Sequence, residues 1–174
     1  MRPEDIIESL DIYGPMRIAD FGAGAGHMAL SAAKKLSDAG TVYALDIQEG
    51  PLEALRARAL EANFENIKTI RADLERDRGS GLRDELVDAV FIANILFQAP
   101  DKKAILKEAF RILKKRGTLL IVEWNPEHKD GLGPKQHMRI PKQTLVESAE
   151  SIGLSIIKQI NLADHHYALV CKKP

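Results

Sequence analysis

Cysteine is almost missing from this chain of 174 residues. Its one copy, Cys171, excludes an internal disulfide and leaves no Cys/His metal spacing. An excess of one charge is missing too, because 25 Lys and Arg balance 25 Asp and Glu. A net charge of zero removes the field-driven case for binding nucleic acid or a membrane surface. Long apolar runs are absent: they stop at five residues, in Ala89–Ala93 and Tyr167–Cys171, and the start, Met1–Asp5, turns acidic before any apolar segment. Neither a membrane span nor a signal peptide fits. Repeats and low-complexity tracts are missing as well. What remains is 45% hydrophobic and 29% charged, the composition expected of one soluble, cytoplasmic domain over residues 1–174.

Short β-branched runs alternate with longer amphipathic ones, which predicts a mostly parallel sheet covered by helices. The strand candidates are Met16–Phe21, Thr41–Asp46, Asn66–Arg71, Val87–Ala93, Thr118–Trp124, Leu154–Asn161 and His165–Lys172. Helices are expected over Gly26–Ala39, Gly50–Asn63, Asp101–Lys114 and from Pro141 to Gly153. In the third, Leu106, Phe110 and Leu113 recur at helical spacing beside Ile105, Ala109 and Ile112, and Asp101 is placed to cap the first turn. Pro141 opens the fourth and Gly153 closes it. Only Leu162–Asp164 separate the last two strands, too few residues for a parallel crossover, so they form an antiparallel hairpin at one edge. The expected fold is a Rossmann-like, doubly wound α/β domain with seven strands: five βα units, then a hairpin. Asn125–Ile140, with Pro126, Gly131, Gly133 and Pro134, reads as its one long irregular segment, a lid or acceptor loop.

Asp20-Phe21-Gly22-Ala23-Gly24-Ala25-Gly26 falls where the first strand gives way to the first helix. Glycines there allow positive φ and close approach of a ligand to the backbone. A dinucleotide fingerprint wants a third glycine where His27 stands, and that side chain would interfere with close helix–strand packing. Asp20 would repel a diphosphate and suits a ligand that carries cations and no phosphate, such as S-adenosylmethionine. Asp46, ending the second strand, can accept both hydroxyls of a ribose. Asp73, after the third, can accept from the exocyclic amine of an adenine sandwiched by Ile47 and Leu74. All three acids fall at the carboxyl ends of strands, where open α/β sheets bind ligands.

Asp20–Gly26, Asp46, Ala72-Asp73 and the run Asp88-Ala89-Val90 leading to Asn94 together resemble the class I S-adenosylmethionine-dependent methyltransferases, and within them the small quinone-biosynthesis type. Phe110–Lys114 followed by Gly117–Ile121 resembles the helix and fifth strand of that family, and the closing hairpin resembles its reversed seventh strand. The resemblance implies S-adenosyl-L-methionine as cofactor. It implies binding positions at Asp20, Gly22, Ala23, Gly24, Gly26, His27, Asp46, Ile47, Ala72, Asp73, Leu74 and Asn94. Asn94-Ile95-Leu96-Phe97 matches the ends of the motif that methylates nucleobase amines but lacks its two prolines, which argues against that chemistry and against nucleic acid as acceptor. The single cysteine argues against the multi-cysteine arsenic methyltransferases.

Only about fifteen residues precede the first strand, where many family members place substrate-covering helices. The acceptor pocket is therefore expected to be open, built from Asn125–Ile140, or completed by a second copy of the chain in a homodimer. A small molecule is the expected acceptor, with no membrane partner and no metal. Glu123, His128 and His137 are the candidate general bases, needed only if the acceptor loses a proton during transfer; Glu123 reads equally as a cap or ion-pair partner, and the two histidines as solvated loop residues. Trp124 and Phe97 either stack on a planar acceptor or pack beneath the loop. Two rivals stay open: a nicotinamide-dependent oxidoreductase on a related fold, opposed by His27 and the hairpin, and a non-catalytic nucleoside-binding protein, opposed by the three acids.

Overall fold

The computed structural model describes residues 6–8, 10–128, 131–162 and 165–174. Met1–Asp5, Ser9, Lys129 and Asp130 of the long loop, and Ala163 and Asp164 between the last two strands lie outside them. The strands are β1 (Arg17–Phe21), β2 (Thr41–Asp46), β3 (Ile67–Arg71), β4 (Val87–Ala93), β5 (Leu113–Trp124), β6 (Ser155–Leu162) and β7 (His166–Lys172). The helices are α1 (His27–Ala33), α2 (Glu49–Glu61), α3 (Lys102–Ile112) and α4 (Lys142–Ser151). One seven-stranded sheet has the order β3-β2-β1-β4-β5-β7-β6. The pairs from β3 to β5 are parallel, and β7 runs antiparallel to both β5 and β6.

Strands apolar on both faces serve two cores, because successive side chains point to opposite sides. In β5, Leu119 and Ile121 join the core under α3 and α4, while Leu120 and Val122 join the core under α1 and α2. Phe91 and Val90 divide in the same way in β4. Burying such a side chain contributes about 1.5–3 kcal/mol, so the alternation fixes the register as well as the layers. Asp101 caps α3, its Oδ1 accepting from the Ala104 N–H at 2.9 Å. Among the described residues no helix is long and apolar enough to cross a membrane.

Three expectations are corrected. The chain does not make five βα units: β3 reaches β4 through Ala72–Leu86 without a helix, so Asn125–Ile140 is not the one long irregular segment. That connection is held from the side by α3. Arg111 donates to Glu108 Oε2 and to the Leu82 carbonyl, both at 2.8 Å, and Glu108 Oε1 accepts from the Ser80 N–H at 2.9 Å. Burial would raise the Glu108 carboxyl, but the Arg111 guanidinium and Ser80 outweigh it and hold it below the usual carboxylate range. Next, α1 stops at Ala33 rather than Ala39. Asn66 Nδ2 donates to the Ala33 carbonyl at 3.2 Å, and the Ser37 N–H turns back to Gly14 O at 2.9 Å. Finally, β5 begins at Leu113, straight after α3, because Leu113 pairs with Val87 and the Lys114 ammonium reaches Asp88 at 2.6 Å.

Candidate functional site

The loop after β1 is tied down by its own backbone. The Gly22 and Ala23 N–H groups both donate to the Leu45 carbonyl, at 2.7 and 2.9 Å, which fixes the loop over the end of β2. Gly22, Gly24 and Gly26 all have left-handed φ, at 69°, 52° and 83°. They do different work. A Cβ on Gly22 would meet Ile95 at 2.3 Å, and one on Gly26 would meet Leu55 of α2 at 2.1 Å, whereas one on Gly24 would meet nothing within 4 Å. So Gly22 and Gly26 admit neighbouring chain, and Gly24 opens onto empty space. Gly26→Ala is accordingly expected to cost about 2–4 kcal/mol, from overpacking plus a left-handed non-glycine residue. Thermal melting checks this, and an unchanged midpoint would show that Leu55 yields.

Beyond Gly24 lies a cleft of about 470 Å³ at the carboxyl ends of β1 to β4. Gly22, Gly24, Asp46, Ile47, Ala72, Asp73, Leu74 and Asn94 line it together. Asp46 organises its near wall: Oδ2 accepts from the Gly24 N–H and Oδ1 from the Gln48 N–H, each at 2.9 Å. Asp73 accepts from the Glu75 N–H at 3.2 Å and from Arg76 Nε at 2.9 Å. Ile47 stands 57% exposed at the rim, a large aliphatic side chain with one face uncovered. Asn94 has left-handed φ, 56°, and its buried Oδ1 has no hydrogen-bond partner.

The other sequence candidates lie elsewhere. Asp20 sits under the loop, 1% exposed and with Oδ2 unpartnered. Burial pushes its carboxyl up to about 7; the Ala29 N–H opposes this, and the Asp46 charge adds to it. Ala23 and Gly26 belong to the loop but not to the cleft wall. His27 is exposed on the far side, beside Ser31 and Arg58, and does not obstruct helix packing as its position in the motif predicts. Gly26 provides that close approach instead. Sequence reasoning missed Gln48, Glu75, Ile95 and Gln98, which also line the cleft. Their signal was only position, two to five residues past a strand end.

Of the candidate bases, none borders the cleft. Glu123 is fully buried, His137 is exposed, and the His128 ring lies 4.7 Å from that of His165. Trp124 packs beneath the loop, its ring 4.2 Å from His166 and 5.6 Å from the Arg139 guanidinium. Arg139 was not foreseen. It is buried and donates to the carbonyls of Pro134 (3.1 Å), Asn125 and His128 (2.9 Å each) and Leu132, which staples the segment on itself. Among the described residues no group of three or more His, Cys, Asp or Glu side chains could hold a metal ion.

The sequence pattern described as a methyltransferase domain matches residues 14–164. The ubiquinone/menaquinone biosynthesis C-methyltransferase UbiE of Rickettsia prowazekii is 35% identical over 119 residues, 66% of this chain and 46% of that protein. The demethylmenaquinone methyltransferase of Lactococcus lactis is 30% identical over 116 residues, 65% of this chain and 43% of that protein. The chain thus spans less than half the length of these curated relatives. Among solved structures, a SAM-dependent methyltransferase from Aquifex aeolicus superposes with a TM-score of 0.89 at 21% identity, covering 99% of this chain and 89% of that one. The [4+2]-cyclase SpnF superposes at 0.83 and 18% identity, covering 98% and 79%. A cyclase on the same scaffold shows that fold alone does not name a reaction.

Proposed function

The chain belongs to the methyltransferase-domain family, and on that premise we propose that it binds S-adenosyl-L-methionine in the cleft beyond Gly24 and methylates a small, planar, quinol-like acceptor. The observation that carries this reading is the meeting of Gly24, Asp46, Asp73 and Asn94, far apart in sequence, on one cleft wall. Three features fit this ligand. Gly24 offers space that any side chain would fill. Each oxygen of Asp46 accepts one amide and keeps a lone pair for a ribose hydroxyl. The buried Asp20 carboxyl, with no cation beside it among the described residues, favours a cationic ligand above it. Ile47 and Leu74 supply apolar surface for a flat ring.

When bound, S-adenosylmethionine supplies a methyl group on a positively charged sulfur that leaves readily. What remains for the protein is to align and to exclude water, and positioning of this kind removes about 7–11 kcal/mol of a barrier. That no candidate base borders the cleft fits such a division of labour. In this reading the described part of the segment after β5 stays close to its present place, since Arg139 ties Asn125, His128, Leu132 and Pro134 together. The quinol-like acceptor is proposed from the named chemistry of the UbiE and demethylmenaquinone relatives.

Calorimetry with S-adenosylmethionine, S-adenosylhomocysteine and NAD tests the reading. The first two are expected to bind and NAD not to. Asp46→Ala is expected to weaken S-adenosylmethionine by about 1.5–3 kcal/mol, the scale for losing hydrogen bonds to a charged acceptor. NAD binding in their place would return the chain to the dinucleotide class, and unchanged affinity in folded Asp46→Ala would remove the ribose role.

A further inference from the structure

Glu123 is a fully buried carboxylate that the proposed chemistry leaves without a task. It lies near the end of β5, directly across from Tyr167 of β7. Burying a charge costs several kcal/mol unless something answers it, and among the described residues no ion pair does. Backbone dipoles answer it only in part: Oε1 accepts from the Leu96 N–H at 2.7 Å and the N–H groups of Trp124, Phe97 and Ile95 favour the ionised form, while the buried Oε2 has no hydrogen-bond partner. Three of these four donors belong to one short segment, the turn that leads from β4 into the 3-10 helix Leu96–Gln98.

That turn has an unusual start: Asn94 has a left-handed φ of 56°, a conformation that asparagine adopts more readily than other non-glycine residues. It also faces the cleft, to which Ile95 and Gln98 contribute their side chains. Ile95 packs so near the glycine loop that a Cβ on Gly22 would overlap it. A shift of the turn would therefore reshape the cleft that Asp46 also lines. Tyr167, across the strand pair, donates its hydroxyl to the Ile140 carbonyl at 2.8 Å.

We infer that Glu123 is a positioning residue: its buried carboxylate clamps the left-handed turn Asn94–Gln98 and so sets Ile95 and Gln98 where the acceptor side of the cleft needs them. The inference rests on reading this cleft as the methyltransferase site. Its signature is that local order and overall stability move in opposite directions. Glu123→Gln keeps the shape and one acceptor but loses the charge. Burial holds the Glu123 carboxyl up at about 7, so its ionised form burdens the fold at pH 8 and removing it should hold or raise the melting point.

The test uses the whole chain. Amide exchange across residues 95–97 at pH 8 is expected to quicken at least tenfold in Glu123→Gln, with Thr41–Glu61 unchanged and the melting point equal or higher. With S-adenosylmethionine and 1,4-dihydroxynaphthalene as probe acceptor, kcat/KM for the acceptor should fall about tenfold while KM for S-adenosylmethionine stays within twofold. Glu123→Asp, its charge withdrawn by one methylene, should not restore the turn. Unchanged exchange at 95–97, or uniform quickening with a lowered melting point, would overturn the clamp. Failure of the wild-type chain to bind S-adenosylmethionine would instead sink the functional reading, while the exchange result would still judge the clamp.

Discussion

Gly24→Val is expected to abolish S-adenosylmethionine binding in a chain that still unfolds cooperatively. The two halves of that expectation come from the same place. A Cβ at Gly24 meets no protein atom within 4 Å, so a valine there displaces only what the cleft would hold. The cost to the fold is conformational: φ is 52°, and a β-branched residue resists that region by about 1–2 kcal/mol. A domain stable by roughly 5–15 kcal/mol survives such a loss, with a melting point lowered by about 3–8 °C. Calorimetry on the folded variant decides the matter, and retained affinity would remove the glycine loop from the site. The same replacement at Gly26 would drive into Leu55 and fail for a different reason.

Asp20→Asn is expected to make the ligand-free chain more stable and a poorer binder. The carboxyl goes from 3.8 unfolded to about 7 folded, because burial and the Asp46 charge oppose ionisation more than the Ala29 N–H favours it. A raised pKa means the folded state holds its proton longer. The stability this lends is complete below about 4 and is lost as pH rises through 7. Asparagine keeps the size of the side chain and removes that loss. At pH 8 the variant should therefore be more stable, by on the order of a few kcal/mol, and melt higher, while at pH 4 the two should nearly coincide. Binding should move the other way, with S-adenosylmethionine about tenfold weaker at pH 8 and nearly independent of pH between 6 and 8. A variant that melts lower at pH 8 would show that the Asp20 charge is compensated in the fold. Unchanged affinity would make Asp20 a structural residue only.

The strands were legible because each carries its own pattern. Thr41–Asp46 and Val87–Ala93 are observed over the residues that periodicity predicts. The helix ends were less so, since they are decided from a distance. Nothing in Lys34–Ala39 announces that Gly14 will capture Ser37, and the apolar spacing of α3 continues into Leu113, which Val87 then claims for β5. The helix-free stretch Ala72–Leu86 depends on Arg111, about 30 residues away, and long-range side-chain bonds leave no periodic trace. At the site, Asp46 and Gly24 could be recognised as parts, but their mutual hydrogen bond could not. Glu123 illustrates the converse. Its place near a strand end allowed a base, a cap or an ion pair, and only its burial and its bond from the Leu96 N–H show which atoms it serves.

The strand order also sets a timetable for synthesis. In the finished sheet β1 lies between β2 and β4, with Ile18 opposite both Val42 and Ala89. A ribosome delivers the first partner soon after β1 and the second only after a further long stretch of chain. At about 5–20 residues per second, the 72 residues from Phe21 to Ala93 take roughly 4–14 s. Through that interval β1, an interior strand of the finished sheet, has one bare edge of Ile18, Ala19 and Phe21. A nascent chain stalled between α2 and β4 should therefore be the form most prone to capture by chaperones, and one stalled beyond β5 should be released.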